Sequence, residues 1–346
     1  MITKQKVLTV SVAAYNCAEY IDKCVDSMLI DSVKDEIEII IVNDGSKDDT
    51  LRIAKKYQDQ FPEIIKVVDK ENGGHGSTIN SSLKAATGKY FKVVDSDDWV
   101  EADGFERLVI GLRDLDADLV ISPFFIVDNA SNVKTIQGVI TNNKDIEPYK
   151  VYSVEKLPSW YDVVMHAVTY RTEILNRCGR KIDEHCFYVD KEYVLYPISL
   201  VNSIAYFDSP VYNYLFGTAE QSCNRENMIR RNGEHLQVCN SMLTCFGESK
   251  YTPSQEIIAK SIISGVCRTQ LFLYLSIGDV DSKNKLKKFD SGIKSNTPLI
   301  YSYMLKSACV KDYIVISVLR ISRYSLFGFL SRVKSLKKSV TQKRNN

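Results

Sequence analysis

Short apolar runs alternate with amphipathic patterns along the first hundred residues. Residues 7–14 are mostly apolar, and residues 38–42 form a β-branched run, as is typical of strands covered on both faces in a parallel sheet. Between them, residues 18–29 place apolar side chains at spacings of three and four, which predicts a helix. The chain therefore opens with a predicted β-α-β step.

The same alternation continues beyond this step. The further predicted elements are a helix over 46–58 with Ser46 as N-cap, a strand over 64–68, a helix over 78–86, a strand over 90–94, a helix over 105–115 and a strand over 118–127. Three β-α steps in succession predict an α/β fold with a doubly wound, mixed but mostly parallel sheet. After about residue 224 helical periodicity dominates, which predicts a helical C-terminal region.

Composition narrows the class of protein. The chain has 346 residues, a 45% hydrophobic composition and a formal net charge of +2, which suits a globular fold and argues against a nucleic-acid binder. Its nine cysteines include no C-x-x-C pair, and we interpret them as reduced, mostly buried thiols. No apolar stretch of the signal-peptide type is visible near Met1, so the sequence predicts a cytoplasmic location.

Carboxylates cluster where the predicted strands end. Asp44 follows the second strand, Asp69 the third, and residues 95–98 the fourth. In a doubly wound sheet, ligands bind beyond the carboxyl ends of the strands, so these side chains should meet at one edge. Because a bare anion would favour helix N-termini and cations there, the acidic residues indicate a divalent metal between protein and ligand.

Asp95 and Asp97 are the predicted metal ligands. Carboxylates at positions i and i+2 of a strand end can turn toward one ion, and their oxygens suit Mn²⁺ or Mg²⁺. A bound cation would neutralise the charge that a diphosphate leaving group gains as its bond breaks. The alternative is that these acids only cap a helix that begins near Trp99.

Two further strand ends carry candidate nucleotide contacts. Asp44 can accept hydrogen bonds from a ribose or a pyrimidine imide, although a turn with an N-cap needs no ligand. Asn72, Gly73 and Gly74 precede a helix, so their backbone N–H groups can approach a phosphate or sugar. A dinucleotide site would need G-x-G-x-x-G after the first strand, where this chain has Tyr15-Asn16-Cys17-Ala18. We interpret the histidines as surface residues: His75, His166, His185 and His235.

Four segments together resemble the glycosyltransferase family 2 pattern on the GT-A fold. They are Val10-Ser-Val-Ala-Ala-Tyr-Asn16, Ile41-Val-Asn-Asp-Gly-Ser46, Asn72-Gly-Gly and Val94-Asp-Ser-Asp-Asp-Trp99, in the family's order and spacing. The resemblance is strong over residues 7–105 and loose over 106–222. One departure is that Ala13 or Ala14 replaces the proline usual before the Tyr-Asn pair.

The resemblance implies roles for individual residues. Those implied to bind the nucleotide sugar are Ala13, Tyr15, Asn16, Asp44, Asn72, Gly73, Gly74 and Asp95. Within this set Asp44 would contact the base, commonly uracil, while Asp95 and Asp97 would bind the diphosphate and a Mn²⁺ or Mg²⁺ ion.

The family's catalytic base usually lies in a Glu-Asp pair followed by an aromatic residue. In the matching stretch, Val189 replaces the first acid, so Asp190 is the implied base and Glu192 the reserve candidate. In an inverting transfer, one carboxylate deprotonates the acceptor hydroxyl on the face opposite the leaving diphosphate. Without the resemblance, an exposed acid beside an aromatic strand explains Asp190 equally well.

The resemblance also implies an organisation and an activity. Residues 1–105 would be the nucleotide-sugar-binding half of a GT-A domain, 106–224 its acceptor-binding half, and 225–346 the helical region. The implied enzyme is an inverting, metal-dependent glycosyltransferase. It would move one hexose or N-acetylhexosamine from a UDP-sugar to a glycan or lipid-linked acceptor in bacterial cell-surface polysaccharide synthesis. The alternatives are a nucleotidyltransferase and a non-catalytic scaffold that retains the fold.

The end of the chain is basic and amphipathic. From residue 311 onward there are nine Lys or Arg and one acidic residue, and residues 312–343 mix these with Ile, Leu and Phe. Such segments bind anionic membrane surfaces with about 1 kcal/mol per cation near the headgroups. The alternative is a helix packed on its own domain. The first hypothesis gives a cytoplasmic protein that lies peripherally on the inner face of the cell membrane.

Overall fold

The computed structural model describes residues 5–140, 145–159, 161–218 and 221–333. The chain divides into two compact units. One comprises Met1–Gln221 with Tyr251–Gln255, and the other Ser222–Lys250 with Glu256–Asn346. The assignment of nucleotide-binding and acceptor-binding halves to residues 1–105 and 106–224 stays a prediction.

Twelve strands are present in the described part of the chain, all within the first unit. They are β1 Leu8–Ala14, β2 Ile37–Asp44, β3 Ile65–Lys70, β4 Tyr90–Asp95, β5 Trp99–Val100, β6 Leu119–Ile121, β7 Phe124–Asp128, β8 Lys134–Gln137, β9 Val151–Ser153, β10 Val168–Arg171, β11 Ser203–Tyr206 and β12 Tyr212–Phe216. Its helices are α1 Ile21–Met28, α2 Thr50–Gln60, α3 His75–Ala85, α4 Ala102–Leu112, α5 Thr172–Cys178 and α6 Asp190–Leu195.

The strands form two sheets. The larger has eight strands in the order β3-β2-β1-β4-β10-β6-β11-β9, and the smaller has four in the order β5-β12-β7-β8. Strands β3, β2, β1 and β4 are parallel neighbours, whereas β10 runs antiparallel to both β4 and β6. The predicted mixed, mostly parallel sheet is therefore present.

Helices cover the parallel strands because their apolar faces pack on them. Seven of the eight residues of β2 are buried, all except Glu38, which confirms that this β-branched run is covered on both faces. Helix α1 buries Ile21, Cys24, Val25 and Met28, the face that its spacing predicts. At about 25 cal/mol per Å² of apolar surface, this burial is the main favourable term in folding.

Two predicted local features are wrong. Ser46 does not cap the following helix, because its Oγ accepts a hydrogen bond from the backbone N–H of Asn16 at 3.0 Å and α2 begins at Thr50. The single strand expected over 118–127 is split into β6 and β7, which belong to different sheets. Pro123 lies at the break, and a proline has no N–H to continue the ladder.

The second unit is helical. Its helices are α7 Arg225–Arg230, α8 Asn232–Glu248, α9 Pro253–Ile277 (whose first three residues belong to the first unit), α10 Val280–Asn296, α11 Pro298–Lys306 and α12 Val310–Ile321. Asp290 of α10 is buried and accepts two hydrogen bonds from the Arg320 guanidinium of α12, at 2.7 and 3.0 Å. Arg320, one of the cations in the basic segment 312–343, is therefore a packing residue of this unit.

Within the described ranges, none of the helices is both long enough and apolar enough to cross a bilayer. The last part of the predicted basic segment, residues 334–343, lies outside the described residues.

Candidate active site

The carboxyl ends of the parallel strands lie side by side. Ala13 at the end of β1 is in register with Val42 of β2 on one side and with Asp95 of β4 on the other. At the end of β2, Asp44 is in register with Lys70 of β3. This register brings the predicted site segments to one edge of the sheet.

Asp44 holds the turn that follows β3. Its Oδ1 accepts hydrogen bonds from the Lys70 ammonium at 2.7 Å and from the N–H of Gly73 at 2.8 Å, with Ser77 Oγ at 3.2 Å. Its Oδ2 accepts from the N–H of Gly74 at 2.8 Å and the Asn72 amide at 3.1 Å. The ammonium, the two backbone N–H groups and the amide fill the roughly four lone-pair directions of a carboxylate. Asp44 is thus a buried clamp, and its contact with a base stays a prediction.

The turn after β1 is fixed by the turn after β2. Asn16 lies in the left-handed region with φ +47°, and its Oδ1 accepts a hydrogen bond from the N–H of Lys47 at 2.8 Å. Next to it, the Tyr15 side chain is exposed. Ala13 and Tyr15 therefore flank the edge at which the strands end, and their contact with a nucleoside stays a prediction.

His75 joins the glycine-rich turn to the acidic motif. Gly74, with φ +81°, turns the chain so that His75 becomes the first residue of α3. From there the imidazole Nε2 lies 2.8 Å from Asp95 Oδ1. Burial disfavours a charged imidazole, yet the charge and hydrogen bond of Asp95 outweigh it and raise the pKa of His75.

Asp95, Asp98 and His166 form a group that could hold a metal ion. Each offers a ligand atom within 4.8 Å of the other two. Carboxylate oxygens suit Mn²⁺ and Mg²⁺, and an imidazole is a common third ligand of transition metals. The donor set therefore fits the predicted cation. Asp97, the other predicted ligand, is not a member of this group, and its role as a ligand stays a prediction.

Like charges are crowded at the end of β4. Burial and the neighbouring carboxylate of Asp95 raise the pKa of Asp97 to about 6. Burial and the charges of Asp97 and Asp95 also raise the pKa of Asp98 well above its usual range. Burial alone would raise the pKa of Asp95 as well, but His75 lowers it below the ordinary value. A cation placed among these groups would relieve their repulsion.

Asp98 also ties the motif to the smaller sheet. Its Oδ2 accepts a hydrogen bond from the Tyr212 hydroxyl at 2.6 Å, and its Oδ1 accepts one from the N–H of Leu215 at 2.7 Å. The Tyr212 oxygen in turn accepts from the N–H of Asp95 at 3.1 Å. Strand β12 therefore fixes the carboxylate of Asp98 and the backbone of Asp95.

His166 lies among aromatic rings beside these acids. Its ring stacks on Tyr214 with centroids 4.4 Å apart and meets the edge of Tyr212 at 4.9 Å. Burial lowers the pKa of His166 to about 4, so the imidazole is neutral and can offer a lone pair. The buried Lys92 ammonium donates to the carbonyl oxygens of His166 at 2.9 Å and Val168 at 3.3 Å, which fixes this segment against β4.

The two candidate bases differ in environment. Asp190 begins α6 with 36% of its side chain accessible, and burial raises its pKa although Lys191 and His75 act in the opposite direction. Glu192 is fully buried, and its Oε2 accepts a hydrogen bond from the N–H of Asp183 at 2.8 Å. Burial raises the pKa of Glu192 to about 7. Asp190, near Asp95 and His75, is the better placed of the two.

The expectation that all histidines are surface residues is wrong. Only His185 is exposed, whereas His235 is buried in the second unit against Gln270, at 2.7 Å from Nδ1 to Oε1. His75 and His166 belong to the site. The position of His75 directly after three predicted site residues was a signal for it. No sequence pattern signals His166. It lies in a single turn of 3₁₀ helix before β10, and this turn places its side chain near Asp95.

Comparison with solved structures identifies the fold. The crystal structure of Staphylococcus aureus TarS residues 1–349 in complex with UDP-GlcNAc covers 96% of this chain and 92% of its own, with a TM-score of 0.68 and 17% identity. A mannosyltransferase from Pyrobaculum calidifontis in complex with GDP-Man and Mn²⁺ has a TM-score of 0.52 and 16% identity, over 96% of this chain and 88% of its own. At these identities the likeness concerns the fold, and it confirms the GT-A class with a helical C-terminal region.

The family follows from the sequence comparison. Residues 9–179 match the model of Glycosyl transferase family 2, and this part of the chain belongs to that family. Chondroitin synthase from Escherichia coli is 27% identical over 245 residues, which are 71% of this chain. The chain spans only 34% of that synthase's length.

Proposed function

We propose that the protein is an inverting glycosyltransferase that transfers one hexose or N-acetylhexosamine from a UDP-sugar to a glycan or lipid-linked acceptor in polysaccharide synthesis. The observation that carries this proposal is the group of Asp95, Asp98 and His166, together with the electrostatic interaction between Asp95 and Asp190. A transferase of this kind needs a cation site for the diphosphate and a base beside it.

The donor side of the proposal rests on the strand ends. Asp95 and Asp97, with His166 or Asp98 as further candidates, would hold a Mn²⁺ or Mg²⁺ ion whose charge stabilises a departing diphosphate. Tyr15, Asn16 and the turn clamped by Asp44 would line the nucleoside. The UDP-GlcNAc bound to TarS and the GDP-Man and Mn²⁺ bound to the mannosyltransferase support a nucleotide sugar and a metal for a chain of this fold.

The acceptor side rests on Asp190. Its carboxylate would accept the proton of the acceptor hydroxyl while that oxygen forms a bond to the anomeric carbon of the sugar. The bond from this carbon to the diphosphate breaks at the same time, and its electron pair leaves with UDP. The accessibility of Asp190 supports this role, because a general base must come within hydrogen-bond reach of the acceptor hydroxyl.

Calorimetric titration with UDP tests the donor proposal. We expect UDP to bind when Mn²⁺ is present and to bind much more weakly in EDTA. Asp97→Ala should remove this difference and lower transfer roughly 10³-fold, since a metal contributes several kcal/mol to the transition state. Asp69→Ala is the matched control, because Asp69 also ends a strand but its carboxylate meets the Asn43 amide at 2.7 Å.

The same titration separates the alternatives. A non-catalytic scaffold would show no Mn²⁺-dependent UDP binding and no release of sugar from any of a panel of nucleotide sugars. A nucleotidyltransferase would consume a nucleoside triphosphate with a sugar phosphate and form pyrophosphate. Full transfer activity in Asp97→Ala would overturn the assignment of Asp97 as a metal ligand.

A membrane surface is proposed as a further partner through the second unit. Exposed apolar side chains lie on α12 and the segment after it: Val310, Tyr313, Ile314, Ile321, Leu326 and Phe329. The opposite face of α12 buries Ile316 and Leu319, so these exposed side chains have no place in the core of the unit. The basic residues Arg323 and Arg332 beside them would meet anionic headgroups.

Sedimentation with phospholipid vesicles tests this partner. We expect the protein to bind vesicles that contain phosphatidylglycerol, and to bind them less at high salt. Vesicles of phosphatidylcholine alone should bind very little protein. Ile321→Glu and Phe329→Glu should each lower the bound fraction. Val280→Glu alters an equally exposed apolar residue on α10 and serves as the control. Equal binding by all three variants would contradict the proposal.

A further inference from the structure

The turn that carries His75 is fixed by contacts on both sides of this residue. The N–H groups of Gly73 and Gly74 on its N-terminal side both donate to Asp44, and Ser77 Oγ donates to Gly74 O at 2.7 Å. On its C-terminal side, Gly76 lies against the carbonyl oxygen of Asp183 so closely that a Cβ at this position would overlap it. The imidazole is therefore presented from a fixed point.

The imidazole is aimed at one oxygen of one carboxylate. Its Nε2 lies 2.8 Å from Asp95 Oδ1, and about a quarter of each side chain is accessible. The oxygens of a carboxylate can only accept, so Nε2 carries the proton and donates. The hydrogen bond fixes the rotation of the carboxylate about its χ2 bond.

The position of His75 also connects the two sides of the proposed reaction. Its charge environment includes Asp97 and Asp190 as well as Asp95. The same turn meets the segment that leads to Asp190, because the N–H of His185 donates to Gly73 O at 2.5 Å. The turn that carries His75 therefore contacts both the acidic motif and the segment that leads to the proposed base.

We infer that His75 is a positioning residue for Asp95. By donating to Oδ1 it turns the other oxygen of Asp95 toward the proposed cation and diphosphate, and it raises the affinity of the site for Mn²⁺ with UDP. Hydrogen bonds to ligating carboxylates typically change metal affinity 10- to 100-fold when they are removed. This inference rests on the proposed function.

The affinity for Mn²⁺, measured by calorimetry at saturating UDP, tests this role without any turnover. His75→Leu has no donor, and we expect it to weaken Mn²⁺ binding roughly 10- to 100-fold. His75→Gln places an amide N–H near the position of Nε2, and because it keeps a donor to Asp95 its affinity should remain within about threefold of wild type. His185→Asn is the matched control, because His185 is exposed and Asn tolerates its positive φ.

The outcomes are distinguishable. Wild-type affinity in His75→Leu, or an equal loss in His75→Gln and His75→Leu, would overturn the role of His75 and leave the proposed function standing. A wild-type protein without Mn²⁺-dependent UDP binding would overturn both. Thermal unfolding checks that each variant is folded. If His75→Leu does not fold, His75→Ala takes its place, since a smaller side chain leaves the clamped turn intact.

Discussion

Two groups of carboxylates meet at the same end of the sheet, and their surroundings are opposite. Asp44 is 2% exposed and accepts hydrogen bonds from four donors, including an ammonium. Asp97 lies among acids, and burial and the charge of Asp95 raise its pKa. The same amino acid therefore stabilises the fold at the end of β2 and adds charge repulsion at the end of β4.

The two candidate bases also differ in their burial and in their neighbours. Glu192 accepts a backbone hydrogen bond and is fully buried, whereas Asp190 keeps a third of its side chain accessible among charged neighbours. Glu192 has no accessible surface to offer to an acceptor, whereas Asp190 keeps an accessible edge beside other charged groups. Access and charged surroundings together, more than burial alone, distinguish the candidate functional acid.

Substitution of the two candidate bases should give the largest difference. Asp190→Asn should lower kcat for transfer by roughly 10²–10⁴-fold, because a general base contributes about that much. The affinity for UDP with Mn²⁺ should remain close to wild type. Glu192→Gln should lower kcat far less, since Glu192 bonds to the backbone of Asp183. Steady-state transfer assays check this, and a reversed order of the two losses would make Glu192 the base.

Removal of the clamp should have the next largest effect. Asp44→Ala leaves the Lys70 ammonium and the N–H groups of Gly73 and Gly74 without their acceptor. We expect the free energy of unfolding to fall by about 3–5 kcal/mol, the usual cost of breaking a buried pair. Urea denaturation measures it. Asp69→Ala, which removes one hydrogen bond at the neighbouring strand end, should cost no more than ~1.5 kcal/mol.

Neutralising the crowded acid should have a smaller and opposite effect. The pKa of Asp97 is raised to about 6, so its neutral form is favoured in the folded state. Its contribution to stability is present at low pH and is lost as pH rises from about 4 to 6. In EDTA, Asp97→Asn should therefore exceed wild type in free energy of unfolding by about 1–3 kcal/mol at pH 8 and match it near pH 3.5.

Urea denaturation across this pH range checks the prediction, and Mn²⁺ supplies its control. Added Mn²⁺ should stabilise the wild type at pH 8 and leave Asp97→Asn unchanged. A variant less stable than wild type at pH 8 in EDTA would show that Asp97 is compensated and that the contrast with Asp44 does not hold.

Much of the parallel half of the sheet was predictable because local and global signals agree there. The β-branched run of β2 and the buried face of α1 lie where the periodicity places them. The break at Pro123 was missed because apolar residues continue on both sides of it, and only the change of sheet makes them two strands.

The candidate site was predictable only where its residues end regular strands. Asp95 and Asp97 follow β4 directly, as the alternation requires. The place of Asp98 in the group with Asp95 and His166 was not predictable in this way. It depends on a hydroxyl and a backbone N–H of β12, more than a hundred residues away, that hold the Asp98 carboxylate. His166 depends on a short 3₁₀ turn and a buried lysine, and neither leaves a periodic trace in the sequence.

The close approach of Gly76 to Asp183 bears on how variation in this chain should be interpreted. A saturation library would find almost no tolerated substitution at residue 76, since any Cβ overlaps the Asp183 carbonyl oxygen. Residue 76 would therefore be as intolerant of substitution as a catalytic residue, although a glycine has no side chain that could take part in the reaction. Intolerance at this position reflects the narrow space between two loops. Intolerance indicates a part in the reaction only where the residue also has a reactive side chain, as Asp190 does.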